Sequence, residues 1–363
     1  MSTEKHETDY RAFIGATDSE LGYGLEAVST ELHDYISPSG QRVGVSVSKP
    51  TGGYEATVLM PQPHDYRNEP LSIRRAEIMA SKLNARIALL ETPGTVGLLE
   101  PDNTPQGYHV YTETTPLKGA QQTLRQLRGA VNGDFSEHAA VQLDAATDTL
   151  SLNSSDQLML FGESMGVVTA TDMIRHIGER GLSLSTVMLH EVVNASGSHG
   201  LGRLISLLSN LGSVENDRRD GYLAENDAIG HPMLAFEQMS DSNKRLDTER
   251  KKFTQQGIAS LANGLGMRVG IEPRLVSAIS RFGKSATPEI LLTKGAQSTV
   301  SHADEYSRLQ GELSNTTGHL APVWEHVDPS GENLPIGHSF LMSFGRQAMY
   351  AGQLRGFISD SER

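Results

Sequence analysis

Apolar and polar positions recur along this chain with two different periods, and the switches between them mark out its elements. Leu32–Ile36 and Gln41–Lys49 have strand character, the second run alternating apolar and polar, and the Pro38-Ser39-Gly40 between them is turn chemistry. The pair predicts a β-hairpin. Ala56–Met60 predicts a third strand, closed by Pro61-Gln62-Pro63. From Leu71 to Asn84, the residues Ile73, Ala76, Ile78, Met79, Ala80 and Leu83 fall largely on one stripe at helical spacing. Ala85–Gly94 reads as a buried strand ending at Pro93-Gly94, followed by a Gly/Pro-bearing loop to about Thr115 and a helix to about Val131. A second helix is expected over Ser136–Asp148, with Ser136 as its cap and Ala139, Ala140, Leu143 and Ala146 facing inward. Residues 1–30 show no dominant period and read as an arm or a short helix.

The second half begins with strand Leu158–Phe161, a Gly-bearing turn, helix Val167–Glu179 stopped by Gly181, and strand Leu184–His190. The alternation then ceases for about ninety residues. Gly200–Gly212 is apolar and amphipathic, while Ser240–Gly257 is densely charged and expected to face water. Strand and helix resume with Pro288–Gly295, His302–Leu313, Ala321–Asp328 and a closing helix over Gly337–Ile358. Strands alternating with helices predict an α/β fold whose central sheet is mainly parallel and flanked by helices. The expected organisation is an arm over 1–30, a core over 31–193 and 287–363, and a helical lid over 194–286. That lid would lie at the C-terminal edge of the sheet, where such sheets bind ligands.

Composition narrows the function. The chain of 363 residues carries 44 acidic against 31 basic side chains, a formal net charge of -13, which repels phosphate backbones and argues against a nucleic-acid partner. There are no cysteines, which excludes disulfides, thiolate chemistry and a cysteine zinc site. The polar N-terminus lacks the apolar segment of a secretory signal, and no run approaches the ~18 apolar residues of a membrane span. The expectation is a cytoplasmic protein.

The turn at 162–166 reads Gly162-Glu163-Ser164-Met165-Gly166. The Gly-x-Ser-x-Gly pattern is degenerate by itself and acquires meaning between a strand and a helix. There the serine sits strained at the tip of a tight turn, and glycine is favoured two residues to either side, where strand and helix crowd. The hydroxyl is then exposed at a helix N-terminus, whose N–H groups and dipole favour developing negative charge. The Met165 N–H is one candidate oxyanion donor.

In motif and element order, the chain from about Leu32 onward resembles the α/β-hydrolase fold family, particularly its lidded esterase and lipase-like members. The resemblance runs through the opening hairpin, strand Ala56–Met60, the Arg86–Gly97 corner, the serine turn, the interruption at 194–286, the Pro288–Gly295 strand with its following helix, and the late Gly337-His338. It implies a serine nucleophile, Ser164, and an imidazole base in the loop after the last strand. His338 matches that place, whereas His319 precedes that strand and His190, His302 and His326 have no motif behind them. The family's usual acid position, three residues beyond a glycine after the penultimate strand, falls here on Ser298, which cannot serve. Glu191, at the end of the strand after the serine helix, is the first alternative for an orienting carboxylate. Asp304 and then Asp328 follow it, and a structural role for Glu191 carries equal weight. The second oxyanion donor should come from the loop after Ala56–Met60, where the prolines leave Gln62 as the backbone donor.

The resemblance therefore implies a serine hydrolase acting on a small-molecule carboxylic ester, without cofactor or metal. Epoxide hydrolases and haloalkane dehalogenases of this fold use an aspartate nucleophile, and Ser164 argues against both. The alternatives are a silent binder of small ligands on the same scaffold and an acyltransferase using the same residues. The apolar face Leu201, Leu204, Ile205, Leu207, Leu208 and Leu211 either lines an acyl site or packs the lid on the core.

Overall fold

The computed structural model describes residues 5–6, 27–61, 70–93, 95–101, 108–114, 120–195, 265–266, 269–283, 286–296, 298, 301–326 and 344–361. The strands are β1 (Lys5–His6), β2 (Val28–Ile36), β3 (Arg42–Pro50), β4 (Ala56–Pro61), β5 (Ala85–Leu90), β6 (Thr95–Pro101), β7 (Tyr108–Thr114), β8 (Gln157–Glu163), β9 (Ser183–His190), β10 (Glu289–Gly295) and β11 (Val323–His326). The helices are α1 (Pro70–Leu83), α2 (Ala120–Val131), α3 (Ser136–Leu150), α4 (Gly166–Glu179), α5 (Glu272–Ile279), α6 (Ala303–Thr317) and α7 (Phe344–Ser361).

One sheet takes nine of these strands in the order β1-β2-β3-β5-β4-β8-β9-β10-β11. From β5 to β11 every pairing is parallel, and the β1-β2-β3-β5 side is antiparallel. Parallel strands need crossovers, and the helices that supply them cover both faces. Side-chain alternation along β8 divides the core accordingly. Leu158 and Leu160 join Val187, Leu292 and the apolar faces of α3, α4, α5 and α6. Met159 and Phe161 point the other way, to Met188, Leu291 and the layer of α1 and α7. Each such Leu, Ile or Met contributes about 1.5–3 kcal/mol when fully buried, so the central strands anchor everything built at their ends.

Two local expectations change. Residues 95–114 hold an antiparallel hairpin, β6 with β7, instead of an unbroken loop. The Asp102–Gly107 stretch has turn chemistry, and the Pro and Gly residues punctuate strands here. Ser136 lies inside α3, not at its cap; Phe135 occupies that position and makes no side-chain cap bond. Ala140 is only half-buried, while His138, Val141, Gln142 and Ala145 are among the residues facing inward. Lys5–His6 adds a short antiparallel edge outside β2, and β2 begins at Val28; the rest of the expected arm lies outside the described residues. Most of the expected lid, including its apolar face from Leu201 to Leu211, lies outside the described residues; α5 falls within the expected range and packs Leu275, Ala278 and Ile279 into the core.

Candidate active site at the serine turn

β8 runs into α4 through Ser164, which holds φ at 51°. A non-glycine residue in the left-handed region is strained by about 1–3 kcal/mol, and the surrounding contacts must over-determine it. They do. The Ser164 N–H donates to the His190 carbonyl at 2.9 Å, tying the turn to the end of β9, and the Val167 N–H returns to the Ser164 carbonyl at 3.2 Å. A Cβ on Gly162 would stand 2.9 Å from both the Val167 Cα and the Ala170 Cβ, so strand and helix close only because residue 162 has none. Met165 is the N-cap residue of α4, which places its backbone beside Ser164 at the helix N-terminus. Ser164 itself is half-buried.

The neighbouring strand ends converge on the same edge. Glu191 follows β9, is 0% exposed and has φ 54°. Three donors surround its carboxylate. The Gly295 N–H reaches Oε1 at 2.5 Å, the Ser298 hydroxyl reaches Oε2 at 2.5 Å and the Ser301 hydroxyl reaches Oε2 at 2.7 Å. Hydrogen bonds of this kind favour the ionised form. Ser298 Oγ in turn accepts the Ser301 N–H at 3.2 Å, so the loop after β10 is organised around Glu191. Tyr306, from α6, is buried beneath this cage. Burial, and secondarily the negative charge of Glu191, push its phenol well above the ordinary range. Asn194 adds another positive φ, 49°, so Ser164, Glu191 and Asn194 are all strained at this one edge.

A second polar group lies on the opposite face of the sheet. Arg75 of α1 meets Glu163, the residue before Ser164, at 2.5 Å and reaches Gln347 of α7 at 3.3 Å. His190 Nδ1 and Thr293 Oγ1 are 2.8 Å apart, and Thr293 Oγ1 lies 3.1 Å from the Tyr350 hydroxyl. Burial raises the Tyr350 phenol above its ordinary range, the Thr293 bond opposing this in part.

Among the residues singled out from the sequence, Ser164, Met165 and Glu191 come together at the C-terminal ends of β8 and β9. Asp304 is exposed in the first turn of α6, where a carboxylate complements the helix dipole. His302 is the N-cap residue of α6, and His190 is fully buried in the polar group behind the turn. His338, Gln62 and Asp328 lie outside the described residues. Sequence reasoning missed Arg75, Ser301 and Tyr306. The only trace of the cage was the serine-bearing segment after Gly295, which matches no motif. Among the described residues, no group of three or more His, Asp or Glu side chains is placed to hold a metal, and no helix is long and apolar enough to cross a membrane.

No protein-family model and no curated protein sequence matches the chain. Solved structures do. An esterase from Exiguobacterium antarcticum superposes with TM-score 0.51 at 11% identity, covering 90% of this chain and 98% of that one. A loop variant of haloalkane dehalogenase from Bradyrhizobium elkanii follows at TM-score 0.50 and 12% identity, covering 92% and 98%. The chain has the α/β-hydrolase fold. A laboratory evolved variant of potato epoxide hydrolase is similar to the same degree, with TM-score 0.50, 12% identity and coverage of 91% and 99%. Those three α/β-hydrolase structures are named for three different activities, so what they share with this chain is architecture; the chemistry has to be argued from its own residues.

Proposed function

We propose that this α/β-hydrolase-fold chain is a serine hydrolase that cleaves a carboxylic ester through an acyl-enzyme on Ser164. The observation that carries the reading is the strained, half-buried serine at φ 51° between β8 and the N-terminus of α4. Holding a non-glycine residue in that conformation is costly, and the turn lies at a helix N-terminus, where N–H groups and the dipole favour developing negative charge.

In this mechanism Ser164 Oγ attacks the ester carbonyl while an imidazole accepts its proton. His338 is that base by its place in the sequence, after β11 and before α7. The Met165 N–H, with the Gln62 N–H from the loop after β4, stabilises the oxyanion. The imidazolium returns its proton to the leaving alcohol, and water repeats the sequence to release the acid. Glu191 orients the imidazole and balances its charge. Its buried carboxylate, bonded to neutral donors at Gly295, Ser298 and Ser301, supports that role over Asp304, which sits in solvent. The fold similarity to an esterase is consistent with the reading and does not choose the substrate.

Intact-mass detection of a fluorophosphonate adduct tests it. A single adduct on the wild type, absent from Ser164→Ala and His338→Ala, is the expected outcome. A well-folded wild type that takes no label with small probes overturns the reading in favour of a ligand-binding protein on a hydrolase scaffold.

A further inference from the structure

Glu191 is held by its backbone as well as by its carboxylate. Its N–H continues the ladder to β10, donating to the Thr293 carbonyl at 2.9 Å. Its left-handed φ of 54° then turns the chain away from β10, and the next N–H, that of Val192, leaves the ladder. A buried N–H outside a ladder needs another acceptor, or it costs about 1–3 kcal/mol. Tyr306 supplies it. The Val192 N–H donates to the Tyr306 oxygen at 2.7 Å, and the Tyr306 hydroxyl donates to the same Thr293 carbonyl at 2.9 Å. The phenol thus closes a bridge around the residue that carries the carboxylate.

Packing does not explain the oxygen. Tyr306 is 1% exposed in the core formed with Leu309, Leu313 and Leu292, where a phenylalanine ring would fill the same space. Burying a hydroxyl is unfavourable unless it is bonded. Both of its partners flank Glu191. Ser301 reinforces the arrangement from α6's approach, its hydroxyl 2.7 Å from Glu191 Oε2 and 3.2 Å from the Val192 carbonyl.

We infer that Tyr306 is a positioning residue for Glu191: its hydroxyl, bridging Val192 N–H and the Thr293 carbonyl, sets the turn that aims the Glu191 carboxylate. The inference rests on the reading of Glu191 as the orienting acid, and the experiment separates the two. Fluorophosphonate labelling kinetics are measured on the wild type, Tyr306→Phe, Glu191→Gln and the double variant, with thermal melts confirming the fold. Glu191→Gln lowers the maximal labelling rate by roughly 10³–10⁴-fold. Tyr306→Phe lowers it by about 10–100-fold, the effect of a displacement on the order of 1 Å, without changing the half-saturating probe concentration. In the Glu191→Gln background the tyrosine substitution has little further effect, because the group it aims is gone.

A Tyr306→Phe protein that labels at the wild-type rate overturns the inference. An equal loss in both backgrounds does so as well, since it marks a structural role only. If instead Glu191→Gln labels like the wild type, the assignment of the acid fails and the inference falls with it. 3-Fluorotyrosine at position 306 keeps the ring and weakens the oxygen as an acceptor. It should label at an intermediate rate, and a wild-type rate overturns the inference even where the phenylalanine variant does not fold.

Discussion

Arg75 and Glu163 meet at 2.5 Å, joining α1 to the residue immediately before the serine. The two sides of the pair are unequal: the Arg75 side chain is 5% exposed and that of Glu163 is 16% exposed. Removing the carboxylate leaves a guanidinium without its counter-charge in the more deeply buried site, with Gln347 still accepting from it, whereas removing the guanidinium leaves a carboxylate with some access to water. Glu163→Gln should therefore destabilise by about 3 kcal/mol or more, and Arg75→Met by about 1–3 kcal/mol. The double variant should lose less than the sum. Denaturant melts of the four proteins check the ordering, and a larger loss for Arg75→Met would count against it.

The strain at Ser164 predicts a trade between stability and reactivity. Ser164→Gly removes the side chain that disfavours φ 51° and should raise stability by roughly 1 kcal/mol over Ser164→Ala, which keeps the strain. Both variants should be unreactive toward a fluorophosphonate. Equal melting temperatures for the two would show that the turn is not strained in solution.

Two glycines should respond oppositely to alanine. At Gly162 the new Cβ would stand 2.9 Å from the Val167 Cα and the Ala170 Cβ, so Gly162→Ala should cost about 1–3 kcal/mol and displace the serine. At Gly352, inside α7, nothing among the described residues outside the helix's own backbone lies within 4 Å of where a Cβ would stand, and Gly352→Ala should stabilise by up to about 1 kcal/mol. Thermal melts of the two variants, with labelling rates for Gly162→Ala, decide both.

His138 predicts an acid sensitivity remote from the serine. Burial lowers its imidazole to about 4, with Asp134 opposing in part. Its Nδ1 has no hydrogen-bond partner among the described residues. The folded state therefore favours the neutral ring, and between about pH 6.5 and 4 the unfolded chain binds more protons. Stability contributed by the neutral ring is complete above about pH 6.5 and is lost as the pH falls through that window, by about 3 kcal/mol at most. His138→Gln should flatten this part of a stability–pH curve, and an unchanged slope would contradict the assignment.

What was legible in advance was local. The periods of 2 and 3.6, with Gly and Pro as stops, located the hairpin β2–β3, the strands β4, β5, β8, β9 and β10, and the helices α1, α2, α3, α4 and α6 within a few residues, and α7 from Phe344 onward; the first seven positions of its expected range lie outside the described residues. The β6–β7 hairpin was hidden because its prolines and glycines look like loop chemistry when read one at a time. The serine turn was legible for a physical reason: all its requirements, two small residues, a strand before and a helix after, fall within about twenty consecutive positions.

The surroundings of that turn are another matter. Glu191 stood out as a carboxylate at a strand end, but a structural and a functional reading weighed equally. The donors that cage it are contributed by Gly295, Ser298 and Ser301, more than a hundred residues further on. Arg75 and Glu163 are 88 positions apart, and Val192 and Tyr306 are 114. A serine or a tyrosine carries no periodic signature of the partner it will meet. The sequence by itself determined most of the alternation of strands and helices, the parallel sheet and the serine turn, because those follow from neighbours along the chain. Only the tertiary structure decided which carboxylate is caged and which hydroxyls hold it, because that depends on β9 and β10 lying side by side in register.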